Sequence, residues 1–315
     1  MANFLQVDNI NYQGKEAQEI FSKQVYATDI RNIGITLMDN VKGKQKIYTG
    51  EIGDVWQAYT CPFSPSGQAS LAEALIEPVR IKVNMENCYD AFDNTYFVEQ
   101  TKITLDGGIP QTFSDWFFTE KLLPKMATEY QDILWKGDTT HSGAKAYLSV
   151  TDGVERLLEK GAKLINGSQF TVDNILSQIE GAIQAGLDLA NEEEVDTEDY
   201  KVFLNYSDVK LLEVALGKQM GVNLTNAVFN NYAKEGDKIV VMGYEVVPTK
   251  QNRSTVIFGP AKNIVLGFDT FDSHVAYKLI DMRESTGDNM FRVLAESNIA
   301  VGVILPELFV LVKKA

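Results

Sequence analysis

The sequence predicts an α+β fold in which helices and strands occupy separate stretches of the chain. Strand-like patterns fill residues 33–83 and return from Lys238 onward, with a helical middle between them. These pieces alternate too irregularly for a doubly wound parallel sheet, so helices and strands are expected to segregate. The strongest helical signal runs from Thr112 to Trp135, where apolar residues recur at helical spacing: Trp116, Leu123, Met126, Tyr130 and Ile133.

Composition favours a soluble globular protein and argues against nucleic-acid recognition. Of 315 residues 45% are hydrophobic and 23% are charged, and the net charge is −14. Such a surface repels phosphate backbones, although it does not prevent the protein from enclosing DNA. Neither a signal peptide nor a membrane span is predicted, so we expect cytoplasm-like conditions and no membrane partner. Cys61 and Cys88 are far apart and are expected to be free thiols.

The first strand-rich stretch predicts two hairpins after an N-terminal arm and a short helix at 14–29. One hairpin is expected to turn at 39–43. A longer hairpin is expected from segments 54–63 and 69–84, which flank the turn-forming sequence SPSG. A brief aromatic-rich helix is predicted at 88–97.

The long predicted helix closes with the sequence EYQDILWKGD, residues 129–138. Thr112 is positioned to cap its start, and Pro124 is expected to kink it without ending it. Gly137 is predicted to stop the helix in a left-handed conformation. Trp135 either lines a ligand pocket or anchors the end of the helix.

The second half predicts a helix at 170–189, a solvated acidic loop at 191–199 and a strand followed by a helix at 200–219. From Lys238 the chain predicts a run of strands that ends in PELFVL. The sequence between Thr286 and Asn289 has the turn-forming residues of a hairpin.

Residues able to carry catalysis are scarce. His141 and His274 are not at metal-ligand spacing from another His or Cys. The spacing in GDTTHSGAK does not fit a phosphate loop, and the acidic stretch 191–199 lacks the ligand spacing of a calcium loop. Neither cysteine has a base nearby in sequence. We therefore predict no catalytic residue, no metal and no cofactor, and a protein that is not an enzyme.

Three stretches in a fixed order carry a resemblance to a known family. They are LIEPVRIKVNMENCYDAF (75–92), EYQDILWKGD (129–138) followed by TDGVERLL, and the closing block from NIVLGFD to PELFVL (263–311). In this order they resemble the major capsid protein of tailed bacteriophages, with the Hong Kong 97-type fold that encapsulins also use. The resemblance covers the chain from about residue 14 onward.

The resemblance implies a division of the chain. It comprises an N-terminal arm with the first strands (1–49), an extended loop (50–84), a peripheral domain with a long spine helix (85–150 and 266–303), and an axial domain (151–265 and 304–315). It also implies hexamers and pentamers that build an icosahedral shell around double-stranded DNA without sequence-specific binding. The expected partners are a separate scaffolding protein and a portal, and the strength of the shell is expected to come from non-covalent interfaces or from a decoration protein. The expected location is the virion, after assembly in the host cytoplasm. Residues 51–70 contain no lysine, so the covalent cross-linking of the best-known member is not expected here.

Two groups of side chains are predicted to contact neighbouring subunits. Aromatic residues of the long hairpin have no evident core of their own: Trp56, Tyr59 and Phe63. Charged residues at the tip of the hairpin near Thr286 are predicted to form a ring of ion pairs around a threefold axis: Arg283, Glu284 and Asp288; an ordinary solvated turn is the alternative. On the same resemblance, the end of the long helix is predicted to be structural: Trp135, Gly137 and Asp138.

Two other functions remain compatible with the sequence. An encapsulin-type compartment would use the same fold but would enclose a cargo enzyme. A small-molecule enzyme would need a pocket, which a ligand-induced rise in melting temperature would reveal.

Overall fold

The computed structural model describes residues 10–13, 33–52, 58, 69–106, 112–220, 228–229, 232–235, 238–268, 276–283 and 286–314. The α-helices are α1 (Asp90–Leu105), α2 (Phe113–Trp116), α3 (Leu123–Lys136), α4 (Val154–Gly161), α5 (Ile175–Glu192) and α6 (Tyr206–Met220). A π-helical segment (Phe117–Leu122) joins α2 to α3, and short 3-10 turns lie at Ala146–Ser149, Ala261–Asn263 and Pro306–Leu308. The predicted helix at 14–29 lies outside the described residues.

The strands in the first part of the chain are β1 (Ile10–Gln13), β2 (Thr36–Met38), β3 (Gln45–Ile52), β4 (Ala69–Ile76), β5 (Val79–Cys88), β6 (Lys163–Gly167), β7 (Tyr200–Asn205) and β8 (Val228–Phe229). The strands in the second part are β9 (Tyr232–Glu235), β10 (Lys238–Val241), β11 (Tyr244–Thr249), β12 (Thr255–Pro260), β13 (Ile264–Gly267), β14 (Ala276–Asp281), β15 (Met290–Val303) and β16 (Val310–Lys314).

The first sheet is organised around β15. Its order is β1-β14-β15-β13-β2, and β5 pairs with β15 from Met290 to Ile299. Beyond Ile299, β15 continues alongside β13, so one long strand holds two parts of the sheet together. Phe291, Val293 and Ala295 alternate along β15 and enter the core. Residues 79–84, expected in the extended loop, instead belong to β5 of this sheet.

The second sheet has the order β6-β16-β12-β7-β11-β10-β9-β8. Its β7–β11 and β6–β16 pairs are parallel, and the other pairs are antiparallel. Both faces are covered, because side chains of alternating direction enter two different cores. In β7, Val202 and Leu204 pack in the core beside α5 and α6, whereas Phe203 packs in the core that contains α3.

A two-stranded ribbon is formed by β3 and β4, with Gln45 opposite Ile76 and Ile52 opposite Ala69. The predicted hairpin at 39–43 is therefore wrong, because β2 does not pair with β3. Instead β2 runs parallel to β13, and the Val41 N–H donates to the Phe268 carbonyl at 3.1 Å. Burial of the Val41 side chain against Val265 draws this segment away from a tight turn.

The long predicted helix forms in three consecutive helical segments from Phe113 to Lys136. The Thr112 hydroxyl accepts from the Asp115 N–H, as expected of a cap. Pro124 is the second residue after the π segment, and the intervening Leu123 N–H donates five residues back to the Phe118 carbonyl. Proline removes a donor and crowds the preceding turn, so widening at this point accommodates it without ending the helix.

Two other helices differ from the sequence prediction. Helix α1 continues eight residues past the predicted end at Phe97, to Leu105. Helix α5 starts at Ile175, not Phe170, because the Asn174 side chain accepts from the Thr171 N–H at 2.7 Å and forms a turn there. The strand and helix predicted at 200–219 are confirmed as β7 and α6.

Gly137 ends α3 for a reason other than the one predicted. Its φ is −52°, so the conformation is not left-handed. A Cβ there would lie 2.3 Å from the Thr151 carbonyl oxygen and 2.9 Å from the Gly153 nitrogen. The Gly153 N–H donates to the Gly137 carbonyl at 2.8 Å. Glycine is required because two backbone segments cross in contact at this position.

We expect Gly137→Ala to destabilise the folded subunit by about 2 kcal/mol or more, because the backbone atoms around the new methyl group cannot move aside. Gly181→Ala is the matched control, since Gly181 lies on the exposed side of α5, where an added methyl group would meet open space. That change should be neutral or stabilising by up to about 1 kcal/mol. Denaturant unfolding measures the free energy of unfolding of both variants. Similar effects of the two substitutions would contradict the close backbone contact at Gly137.

Candidate assembly surfaces

The β14–β15 hairpin predicted near Thr286 is present, with Asp281 opposite Phe291. Gly287 has φ of +79°, which explains the need for glycine in the turn. The Thr286 hydroxyl donates to Asp288 at 2.8 Å. Asp288 is exposed, so its carboxylate is available at the tip of the hairpin.

Arg283 lies at the base of this hairpin and is held within its own subunit. Its guanidinium Nη2 donates to Asp281 Oδ2 at 2.7 Å, and Nε donates to Asp281 Oδ1 at 3.1 Å. Its Cζ lies 4.5 Å from the centre of the Tyr89 ring, a cation–π contact. Burial acts to raise the pKa of Asp281, but the bonds from Arg283 hold that pKa below its usual value.

The structure therefore bears differently on the three residues that were predicted to form a ring of ion pairs around a threefold axis. Arg283 is already neutralised by Asp281, whereas Asp288 presents a carboxylate to solvent. Glu284 lies outside the described residues. The ring stays a prediction, and reversing the charge of Arg283 would disturb the subunit itself before it tested a contact between subunits.

We expect Arg283→Met to cost about 3 kcal/mol of subunit stability, because it leaves the buried Asp281 carboxylate without a cation. Arg80→Met is the control: Arg80 pairs with Glu296 at 2.9 Å, but both side chains are about half exposed. Exposed pairs contribute about 1 kcal/mol or less. Unfolding of both variants in denaturant at neutral pH gives the comparison. Equal losses of unfolding free energy would show that the buried Arg283–Asp281 pair stabilises the subunit no more than an exposed pair does.

Trp135, near the end of α3, is packed in the core. Trp135 is 1% exposed, and its ring centre lies 5.5 Å from that of Phe203 in the second sheet. A cavity of about 240 Å³ lies nearby, between β5 and α3, but Trp135 is not among its lining residues. Asp138 accepts from the Thr140 N–H at 2.9 Å and shapes the following loop. The structure thus places Trp135 at the junction of the two sheets.

Asp152 connects the loop after α3 to α4. Its Oδ1 accepts from the Thr139 N–H at 2.9 Å and from the Thr139 hydroxyl at 2.8 Å, while Oδ2 pairs with Lys160 at 2.6 Å. Burial opposes ionisation, yet these bonds outweigh it and lower the pKa of Asp152 to about 2. A pKa lower in the folded state than in the unfolded chain means that the ionised form stabilises the fold.

The Asp152 contribution should therefore be complete above about pH 4 and should disappear as the pH falls toward about 2. We expect the wild type to be more stable than Asp152→Asn at pH 7, with the gap closing over that acid range. Asp173→Asn is the control, because the Asp173 side chain is 80% exposed in its pair with Lys218. The stability gap between wild type and Asp173→Asn should be small, and parallel curves of stability against pH for the two variants would refute the assignment to Asp152.

Residues considered for catalysis do not assemble into a site in the part of the chain that the structure describes. Its His, Cys, Asp and Glu residues form no cluster suited to a metal ion. His141 packs against Gly143 in the loop after α3, and Cys88 is a half-buried free thiol at the end of β5. Cys61 and His274 lie outside the described residues. None of the described helices is long and apolar enough to cross a membrane.

Large apolar side chains on α1 form a surface that the sequence prediction missed. Phe97, Val98 and Leu105 are 41%, 55% and 80% exposed. Only a brief helix was predicted here, although the sequence TYFVEQTKITL places apolar residues on more than one side of a helix. Leu75 of the β3–β4 ribbon is also 55% exposed. The predicted contact residues Trp56, Tyr59 and Phe63 fall in the segment joining β3 to β4, outside the described residues.

The whole chain resembles solved phage capsid structures. A chain of the satellite phage P4 procapsid that includes the size determination (Sid) protein aligns with a TM-score of 0.58 and 12% identity, over 94% of this chain and 98% of that one. The capsid of Myoviridae phage XM1 aligns with a TM-score of 0.54 and 10% identity, over 100% and 97%. Gordonia phage Cozz gives 0.54 and 12%, over 91% and 86%.

The chain has the fold of these phage capsid proteins. The α+β class and the capsid-type fold predicted from the sequence are therefore confirmed. No protein-family model and no curated protein sequence matches the chain. The likeness lies in the path of the backbone and not in a shared set of residues.

Proposed function

We propose that this protein is the major capsid protein of a tailed bacteriophage, which assembles into the icosahedral shell around double-stranded DNA. The observation that carries the proposal is the extent of the fold match, which covers 94% of this chain and 98% of the chain from the P4 procapsid. A match along the full length of both chains favours a shared architectural role over the reuse of one motif.

The exposed features of the subunit support a protein that is completed by its neighbours. The β3–β4 ribbon is a separate two-stranded sheet, and an isolated pair of strands is at best marginally stable. Helix α1 exposes Phe97, Val98 and Leu105. Such surfaces become favourable when a partner covers them. In this role the shell consists of hexamers and pentamers of the same chain.

The proposed division of the subunit follows its two sheets. The peripheral domain (85–150 and 266–303) contains α1–α3 and most of the first sheet, and the axial domain (151–265 and 304–315) contains the second sheet with α5 and α6. The extended loop would correspond to the β3–β4 ribbon and would end near Ile76, because β5 is part of the first sheet.

The remaining assignments follow from the same role. The protein acts without enzymatic chemistry, in the virion, after assembly in the host cytoplasm with a scaffolding protein and a portal. Non-covalent interfaces or a decoration protein would strengthen the shell. A net charge of −14 suits a shell that encloses DNA without sequence-specific binding. An encapsulin-type compartment shares the fold, and the content of the particles distinguishes the two: phage DNA in one case, a cargo enzyme in the other.

The direct test is assembly of the purified protein, with and without its co-expressed scaffolding protein, followed by electron microscopy. Closed shells, or hexamers and pentamers, are the expected result. A protein that remains monomeric at high concentration under both conditions would overturn the proposal.

A second test separates interface residues from core residues. We expect Trp56→Ala and Phe63→Ala to weaken assembly, since an aromatic side chain buried only at an interface contributes about 2 kcal/mol or more to association. Subunit melting should change little. Trp135→Ala is the control and should cost about 3–5 kcal/mol of subunit stability, because Trp135 is 1% exposed in the core. Equal losses of melting temperature in all three variants would place Trp56 and Phe63 in the core instead.

A further inference from the structure

A cluster of lysines stands out on this acidic protein. It comprises Lys125 and Lys136 of α3 with Lys145 and Lys250, and Lys250 interacts electrostatically with the other three lysines and with Asp132. The Lys136 and Lys145 ammonium groups lie 3.6 Å and 3.9 Å from Asp132 carboxylate oxygens. Lys125 pairs with Glu129 at 3.0 Å. We call these four residues the lysine cluster.

The carboxylates within reach do not balance the lysine cluster. Four lysines share Asp132 and Glu129, and no acidic group among the described residues lies within ion-pair distance of Lys250. Burial lowers the pKa of Lys250 and so do the neighbouring lysines, although Asp132 opposes them. The Lys125 and Lys145 side chains are 65% and 60% exposed, so an incoming anion can reach the cluster.

An excess of negative charge lies between α5 and β7. Residues 192–199, the acidic segment, contain six carboxylates and no lysine or arginine: Glu192, Glu193, Glu194, Asp196, Glu198 and Asp199. All six residues are exposed, and Asp199 is the only one with an ion pair among the described residues, to Lys262. The segment starts at the C-terminal end of α5, which has no basic residue in its last turn. Negative charge is unfavourable at that end of a helix dipole and is relieved by a cation.

The fold places these two regions at opposite ends of the same pair of parallel strands. The acidic segment leads directly into β7 at Tyr200, and Lys250 follows directly after β11. Because β7 and β11 are parallel, with Asn205 beside Thr249, the two regions are separated by the length of a strand, roughly 20 Å. They therefore cannot pair within one subunit.

We propose that the acidic segment of one subunit docks on the lysine cluster of the next, in a head-to-tail contact. Two complementary patches at separate places on the subunit are what a heterologous interface requires, and such an interface closes into rings when its rotation allows. The contact would be electrostatic, would guide the orientation of incoming subunits and would weaken with salt. This inference rests on the proposed shell function and specifies one contact within it.

DNA is the other anion that four lysines could attract. The lysine cluster contains Asp132 and Glu129 as well, and the surrounding protein carries a net charge of −14, so a phosphate backbone would meet strong repulsion. An exposed acidic segment with more carboxylates than the cluster has lysines is present on every copy of the chain. The second copy is therefore the occupant that the charges favour.

Charge reversal on each side tests the contact. Variant one is Lys125→Glu with Lys145→Glu, which gives the lysine cluster a net negative charge. Variant two reverses four carboxylates, Glu192→Lys, Glu193→Lys, Glu194→Lys and Glu198→Lys, which gives the acidic segment a net positive charge, and a third variant combines all six changes. The control is Lys210→Glu with Lys218→Glu, exposed lysines of α6 with the same change in net charge as variant one. Assembly is followed by sedimentation velocity at low and high salt, with subunit melting measured in parallel and binding to a 20-base-pair duplex measured by anisotropy.

We expect variants one and two each to require about tenfold more protein or more to assemble at low salt, with little change in melting temperature. The combined variant should recover assembly, and the control should assemble normally. Normal assembly of variant one or two, or no recovery in the combined variant, overturns the contact while leaving the shell function intact. Loss of duplex binding in variant one with normal assembly would assign the cluster to DNA. A wild type that never assembles would instead refute the proposed function.

Discussion

Burial of the second sheet on both faces is the constraint on which the rest of the structure depends. Within β7, Val202 and Leu204 face the core beside α5 and α6, while Phe203 faces the core of α3. Strand β12 repeats this division, with Ile257 on the α3 side and Val256 and Phe258 on the other. One sheet thus belongs to two cores at once, and the two halves of the subunit are joined by packing rather than by a linker.

Everything at the end of α3 follows from that shared sheet. Trp135 packs on Phe203 one residue before α3 ends, and the chain then crosses itself closely at Gly137 and Gly153 before α4. The buried Glu155 of α4 accepts from the Asn252 N–H and side-chain amide, which ties α4 to the loop before β12. Burial raises the pKa of Glu155, so these donors are needed where a carboxylate would otherwise be costly.

The sequence predicted the elements whose signal lies within a short stretch of the chain. Its predictions were wrong where a residue far away in sequence determines the local conformation. The apolar stripe from Trp116 to Ile133 predicts a helix on its own, and the order of the closing strands carries the capsid resemblance. By contrast, the hairpin at 39–43 was wrong because Val41 packs against residues more than 200 positions away. The reason for Gly137 was also hidden, since the crossing segment at Gly153 is visible only in three dimensions.

The candidate assembly surfaces were also hard to predict, because they depend on contacts that form only after folding. Hairpin chemistry at Thr286–Asn289 is local and was predictable, but the stacking of Arg283 on Tyr89 depends on how β5 and β14 flank β15. Charge patterns along the chain gave the acidic segment at once. The lysine cluster has no such pattern, because Lys125 and Lys250 come from distant parts of the chain and meet only after folding.

The apolar residues of the core and those of the α1 surface imply an order of events. The large aromatic residues of the core, among them Trp116, Trp135 and Phe291, are almost fully buried within a single chain. Their burial does not wait for a neighbour, so the subunit can fold before it assembles. In the proposed shell, Phe97, Val98 and Leu105 of α1 would be covered by a neighbour only afterwards. A protein built in this way separates the free energy that folds it from the free energy that associates it, which lets assembly be reversible while each subunit stays intact.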